Sequence, residues 1–482
     1  MASARIMCAT AFLLGFACAV AVAEAPLDIG SRRELFVDTH LIARLDNAEL
    51  ELKEPCPAGP VLRFDKPWEG VFCGYVTVFQ DGDKFRMYYR GMPKVGGDNT
   101  AVESTCYAES TDGKQFVKPE LGLFEVQGTR KNNVVLADMP PFSHNFAPFR
   151  DTRPGVPADE RYKALAGSSK SGLVAFASAD GLRWRKMREE PVITEGAFDS
   201  QNVAFWSESE QCYVAYVRTW SEGDFGGFRW VSRATSKDFL DWTAPVEMDK
   251  GDAPWEHIYT NQTVPYFRAP HIYVSLAARF MPGRRVLSEA EANAVGVHEK
   301  YAGDCSDNVL MTSRGGHRYD RAFLEAFVKP GIGLENWTSR TNYPAHGVVQ
   351  TGKHELSVYI QKNYGQPTGH IERYTLRPDG FASVRAPYAG GELMTKPLVF
   401  SGGALYLNFA TSAAGDIRVE LQRPDGTPIE GHTLADSAVI LGDMLDRVVR
   451  WNGSDDVSAL AGKPVRIRFV MRDADLYAIQ FR

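Results

Sequence analysis

Ser178-Ala179-Asp180-Gly181-Leu182-Arg183-Trp184 is a tight turn closed by an aromatic side chain, and it recurs along the chain. An earlier copy is Ser110-Thr111-Asp112-Gly113-Lys114-Gln115-Phe116. Looser copies stand at Ser236-Lys237-Asp238-Phe239-Leu240-Asp241-Trp242 and Ser313-Arg314-Gly315-Gly316-His317-Arg318-Tyr319, and a shorter one at Arg377-Pro378-Asp379-Gly380-Phe381. Asp-Gly turns a hairpin because Asp bonds its own backbone and Gly takes a positive φ without a Cβ clash. The aromatic that follows can fold back onto the sheet as a plug. A single such turn fits any β protein, including an ordinary sandwich. Five with related flanks predict a radial array of small sheets, an all-β five-bladed β-propeller.

The runs between these turns share a grammar. Blade 1 reads as 71–80, 84–90 and 102–110, and blade 2 as 144–150, 161–168 and 172–178. Blade 3 reads as 202–207, 211–220 and 229–236, blade 4 as 259–267, 271–280 and 308–313, and blade 5 as 346–351, 354–361 and 369–376. Strand alternation is plain in Phe85-Arg86-Met87-Tyr88-Tyr89-Arg90. The short pieces Glu34 to Asp38 and Leu41 to Ala43 are expected to close the ring by joining the last blade. Within the long blade-4 connection, Ser288 and Glu291 form a capping box that predicts a rim helix. After Val384 six strand-like runs with polar turns predict an antiparallel β-sandwich, with Gly390-Gly391 as the hinge. The expected domains are a propeller over 24–388 and a sandwich over 389–482.

Arg5, the apolar run Ala11 to Val22 and the small residues Ala21-Val22-Ala23 predict a secretory signal over residues 1–23, hence a secreted or periplasmic protein. The apolar run is short for a membrane span. A net charge of −6 gives no reason to expect nucleic acid or an anionic membrane as partner. Cys56, Cys73, Cys106, Cys212 and Cys305 remain beyond the signal, without metal-type spacing, and read mostly as buried thiols with room for one disulfide.

A propeller delivers the start of each inner strand to one central channel. Polar clusters at those starts are therefore the candidate site. Glu69, Asp199 and Glu256 come from three blades and suit glycoside hydrolysis, which needs a protonated carboxylic acid and an ionised carboxylate on opposite sides of the bond. Glu256 is the expected acid, Glu69 the base or nucleophile, and Asp199 the orienting group. His144, Asn145, Gln201, Asn202, Asn261 and His346 join them as substrate-binding candidates, as does Asp307 where the blade-4 insertion returns. Arg90, Arg218 and Arg279 close the second strands of their blades, with Lys362 near the equivalent place in blade 5. If convergent, they form a cationic ring suited to carboxylate or sulfate groups on a sugar. No metal-ligand spacing, phosphate loop or dinucleotide fingerprint appears, so no metal or organic cofactor is expected.

The blade repeats, polar strand starts and trailing sandwich together resemble the five-bladed β-propeller glycoside hydrolases, the group that includes families 32, 43, 68 and 117. The likeness spans roughly Glu34 to Val384 and is architectural, since the family 32 motifs Asn-Asp-Pro-Asn, Arg-Asp-Pro and Glu-Cys are missing. It implies three acids around the channel, for which Glu69, Asp199 and Glu256 are the nearest matches. The expected function is a secreted glycoside hydrolase acting on a poly- or oligosaccharide, with an anionic glycan suggested by the arginines. Its rivals are a polysaccharide lyase using His144 or His346 with a Tyr and the arginines, and a non-catalytic glycan-binding propeller. Oligomeric state is not legible.

Overall fold

The computed structural model describes residues 25–223 and 225–482, so the signal expectation falls outside the described residues. Five antiparallel sheets surround a channel. Blades 1, 2 and 3 are four-stranded meanders built on Gly74–Asp81, Ala147–Arg150 and Val203–Ser207 as inner strands. In blade 4 the inner strand is split into His257–Thr260 and Thr263–Tyr266, both paired with the long Ala269–Met281. Tyr343–Pro344 and Val349–Gly352 form the inner edge of blade 5.

The recurrent turns are built alike. The Ser178 hydroxyl accepts from the N–H groups of Asp180 and Gly181, while the Asp180 carboxylate accepts from those of Leu182 and Arg183. Ser110 and Asp112 repeat this around Gly113, and Ser236 and Asp238 repeat it around Phe239, which takes φ 74° where the other two copies have Gly. The plugs hold: Trp184 Nε1 donates to Gly181 O at 3.1 Å and Trp242 Nε1 to Phe239 O at 2.9 Å. Two of the turns also take part in the joint between blades. Tyr88 of blade 1 donates to Gly181 O of blade 2, and Tyr359 of blade 5 to Gly113 O of blade 1.

Ring closure differs from expectation. Cys56–Arg63 supplies the outer strand of blade 5 by pairing with His370–Leu376. The pieces expected to do so instead join the C-terminal sheet. Arg33–Leu35 pairs with Arg466–Phe481, and Ile42–Asp46 with Gly391–Thr395. Residues 27–52 thus belong with the sandwich, whose eight-stranded antiparallel sheet encloses one apolar core of Phe36, Leu405, Phe409, Trp451, Phe469 and their neighbours.

The fifth turn copy ties the two parts together. Asp379 is fully buried and accepts from Arg33 at 3.0 Å, Arg268 at 2.8 Å, Tyr266 at 2.8 Å and Asn408 at 2.9 Å. Such a charge is tolerable only because every lone pair is met. All five cysteines among the described residues are free, and all but Cys56 are buried. No described helix is long and apolar enough to cross a membrane.

Candidate active site

The channel is stitched across by amides. Gln201 Nε2 donates to Thr77 Oγ1 at 2.8 Å, and Gln262 Nε2 donates to Gln201 Oε1 at 2.7 Å and to Pro344 O at 2.9 Å. Asn145 spends its amide on the carbonyls of Gly167, Phe198 and Ser200. Asn202 and Asn261 likewise bond backbone of their own neighbourhood. These four sequence-predicted residues hold inner strands together, which is what buried amides with complete partners do.

At the N-terminal ends of the inner strands the channel widens into a funnel of tyrosines and guanidinium groups. Tyr75, at φ 52°, clusters there with Tyr259 and Tyr343. Its ring meets the His144 ring edge-on at 5.5 Å, Arg90 covers it at 4.7 Å, and its hydroxyl donates to Asp199 O at 3.4 Å. His144 through its ring and Asp199 through its backbone carbonyl therefore both touch one tyrosine, from blades 2 and 3.

His144 Nδ1 lies 2.7 Å from Glu103 Oε1, so the ring donates there and keeps Nε2 for a second partner. Glu103 is buried and also accepts from Asn99 N–H at 2.8 Å. Asp98 completes this corner, its carboxylate within 4.8 Å of the other two groups. Burial alone would raise the Asp98 pKa, but Arg90, His144 and Arg340 outweigh it and hold the carboxyl below its usual range. Arg90 and Arg340 crowd the same space, so this corner does not suit a dication. Asp199 pairs with Arg218 at 3.2 Å and remains 37% exposed, open to a ligand.

The cations outnumber their partners. Arg218, Arg229 and Arg340 lie 4.8, 5.5 and 5.5 Å from the centroid of the Tyr259 ring. Among the described residues, Arg229 and Arg340 have no carboxylate within 4.0 Å. Arg340 also rests on Tyr301 and Tyr364 and takes φ 58°. Tyr301 is delivered by the rim insertion, whose helix Glu289–Val295 has the expected Ser288–Glu291 capping box. That insertion packs Leu287, Val297 and Tyr301 on Phe72, Met92 and Tyr364 of the funnel wall.

Two of the expected catalytic carboxylates lie elsewhere. Glu69 is fully buried inside blade 1, bound by Lys118 at 2.7 Å, the Tyr89 hydroxyl at 2.6 Å and Lys66 N–H at 2.9 Å. It is a structural ion pair closed to substrate. Glu256 is gripped by Arg279 at 2.8 Å and Arg321 at 2.5 Å. Burial raises its pKa, but the two guanidinium groups more than offset this, and the carboxyl stays below its usual range. A general acid must carry a proton, so Glu256 is unfit for the expected role.

Arg279 and Asp307, paired at 2.6 Å, belong to that same cluster. The cause is register. Ala278 and Phe280 face Tyr259 and Tyr343, so Arg279 points to the opposite face of its strand, beside a register shift between Ile258 and Thr260. Lys362 is also withdrawn: it donates to Asn342 Oδ1 at 2.6 Å, and burial lowers its pKa to about 8. The cationic ring expected from four strand ends is thus supplied by Arg90 and Arg218, with Arg229 and Arg340 added from loop-proximal positions.

His346 lies deeper, donating to Thr263 O at 3.2 Å, with burial lowering its pKa to about 4. It also lines a mostly apolar cavity of about 390 Å³ at the other mouth of the channel, with Phe79, Phe205, Trp206 and Phe267.

Fold and site together define a five-bladed β-propeller with a tyrosine- and arginine-lined funnel. No family model matches the chain, and no curated protein does. Solved structures that follow a similar course include one described as a glycoside hydrolase (13% identity, 68% of this chain and 93% of that one, TM-score 0.43). An N-acetylgalactosamine deacetylase from F. plautii in complex with blood group B trisaccharide is similar at 13% identity, 68% and 94% coverage and TM-score 0.42. A β-1,2-mannobiose phosphorylase from Listeria innocua is similar at 11% identity, 66% and 94% coverage and TM-score 0.43. Likeness at this level concerns the course of the chain and carries nothing about its chemistry.

Proposed function

We propose that this protein is an exported carbohydrate-active enzyme that hydrolyses a glycosidic bond beside an anionic sugar in the propeller funnel. One observation carries the reading: His144, held by Glu103, packs edge-on against Tyr75, and Asp199, whose backbone carbonyl accepts from the Tyr75 hydroxyl, keeps a partly exposed carboxylate paired with Arg218. Hydrolysis needs a proton donor for the leaving oxygen and a carboxylate to activate water or stabilise the sugar cation. His144 gives its Nε2 proton to the leaving oxygen, and Asp199 takes one from the attacking water. Arg340 binds the anionic group, and the tyrosine rings offer faces to the sugar.

A second reading is favoured by Arg340, which acts on the same Asp98 carboxylate as His144 and has no carboxylate within 4.0 Å among the described residues. A guanidinium that neutralises a uronate carboxylate acidifies the adjacent C–H bond. His144 then removes that proton, a C=C bond forms, and the glycosidic C–O bond breaks with a proton going to the departing oxygen. One assay separates the two. The protein is incubated with pectic, alginate and glycosaminoglycan oligosaccharides, and reducing ends and ultraviolet absorbance are read together. Reducing ends without absorbance support hydrolysis, and absorbance supports elimination. Binding without either product leaves a glycan-binding propeller.

A further inference from the structure

We infer that the funnel recognises two anionic groups on its ligand, one at Arg340 and the other at Arg229. This rests on the proposed action on an anionic glycan and narrows its substrate class to glycans with charges on adjacent residues or with a sulfate beside a uronate.

The charge balance around Tyr259 carries the argument. Three guanidinium groups surround one ring, and among the described residues only Arg218 has a carboxylate within 4.0 Å, Asp199 at 3.2 Å. Arg229 is half-buried on the faces of Trp220 at 4.5 Å and Phe280 at 5.0 Å, contacts that give a cation some stabilisation without accepting its hydrogen bonds. Arg229 Nε and Trp220 Nε1 are both buried without an acceptor, as is Arg90 Nε on the other side. A wall with surplus donors and unpaired positive charge calls for an acceptor-rich anion, because leaving such groups unpaired is costly.

The two centres are distinct. Arg340 shares Tyr364 with Arg90, whereas Arg229 shares Trp220 and Phe280 with no other guanidinium. Yet both Arg229 and Arg340 lie 5.5 Å from the Tyr259 centroid, so their guanidinium carbons are no more than twice that distance apart. Any spacing within that bound is short enough for one ligand of two linked sugars to reach both. Burial and the nearness of Arg218 lower the Arg229 pKa, against an opposing pull from Tyr259, Tyr343 and Asp199.

Calorimetric titration of the full chain tests this with digalacturonate, dimannuronate and a sulfated chondroitin disaccharide, each beside its singly esterified or desulfated form. At least one doubly charged disaccharide should bind about tenfold or more tightly than its singly charged partner. Arg229→Gln should abolish that preference while leaving affinity for the singly charged form within twofold, and Arg229→Lys should restore part of it. Circular dichroism and melting of each variant confirm folding. Equal affinity for both forms, or an unchanged preference in Arg229→Gln, overturns the two-anion inference while leaving the anionic-glycan reading in place. Failure of every charged disaccharide to bind overturns both.

Discussion

His144 Nδ1 and Glu103 Oε1 are 2.7 Å apart, and Glu103 is shut away from solvent behind the histidine. A buried carboxylate in that position fixes the ring by accepting from its Nδ1. His144→Asn should cut turnover about a hundredfold or more, the usual worth of a positioned acid–base group. Glu103→Gln should cost less at the optimum but shift the pH profile, because it keeps the contact and removes the charge. Turnover against pH for both variants is the measurement.

Glu69 should prove structural. Replacing it by Gln leaves Lys118 short of its buried partner, though Asp65 remains at 2.9 Å. Breaking such a pair costs on the order of 3 kcal/mol. Denaturant unfolding should show that loss while kcat of the folded enzyme stays within a few-fold of wild type.

His346 links stability to pH. Its folded pKa of about 4 lies below the ordinary 6.5, chiefly through burial. Stability from the neutral ring is complete above pH 6.5 and is lost as pH falls towards 4, reaching about 3 kcal/mol. Glu34 adds a more acidic component. Burial raises its pKa, but bonds from His271 and Arg314 bring it to about 2, so its contribution is lost between about pH 4.5 and 2. Melting temperature against pH should fall in two stages, and His346→Gln should remove the first.

Asp379 should govern the joint between propeller and sandwich. Asp379→Asn leaves Arg33 and Arg268 facing a neutral group in a buried place. A loss of about 3 kcal/mol is expected, read as a lowered melting temperature in calorimetry, with kcat little changed because the joint lies away from the funnel.

The fold was legible because it is written in local chemistry. Ser, Asp and Gly at fixed offsets build a turn by hydrogen bonds among themselves, and the turn reports its own spacing. The closing strand was harder, since Cys56–Arg63 carries two prolines and a glycine and lacks the alternation that marks a strand. The site was only half legible. Arg90, His144, Asp199 and Arg218 follow from their places at strand ends. Glu69 and Glu256 occupy similar places in sequence, but a one-residue change of facing sends a side chain into the blade instead of the funnel. Asp98, Glu103 and Arg340 sit in connections between strands, where no periodicity points them inward. The positive φ of Arg340, beside Asn342 at φ 69°, is a clue only coordinates supply.

The most direct test pairs His144 and Asp199, which both touch Tyr75. Wild type, His144→Asn, Asp199→Asn and the double variant are assayed on the best anionic oligosaccharide found in the panel, with released reducing ends as readout. Each single variant should lose about a hundredfold or more, and the double variant little beyond the worse single, as expected of groups serving one step. Near wild-type turnover in either single variant would contradict the account.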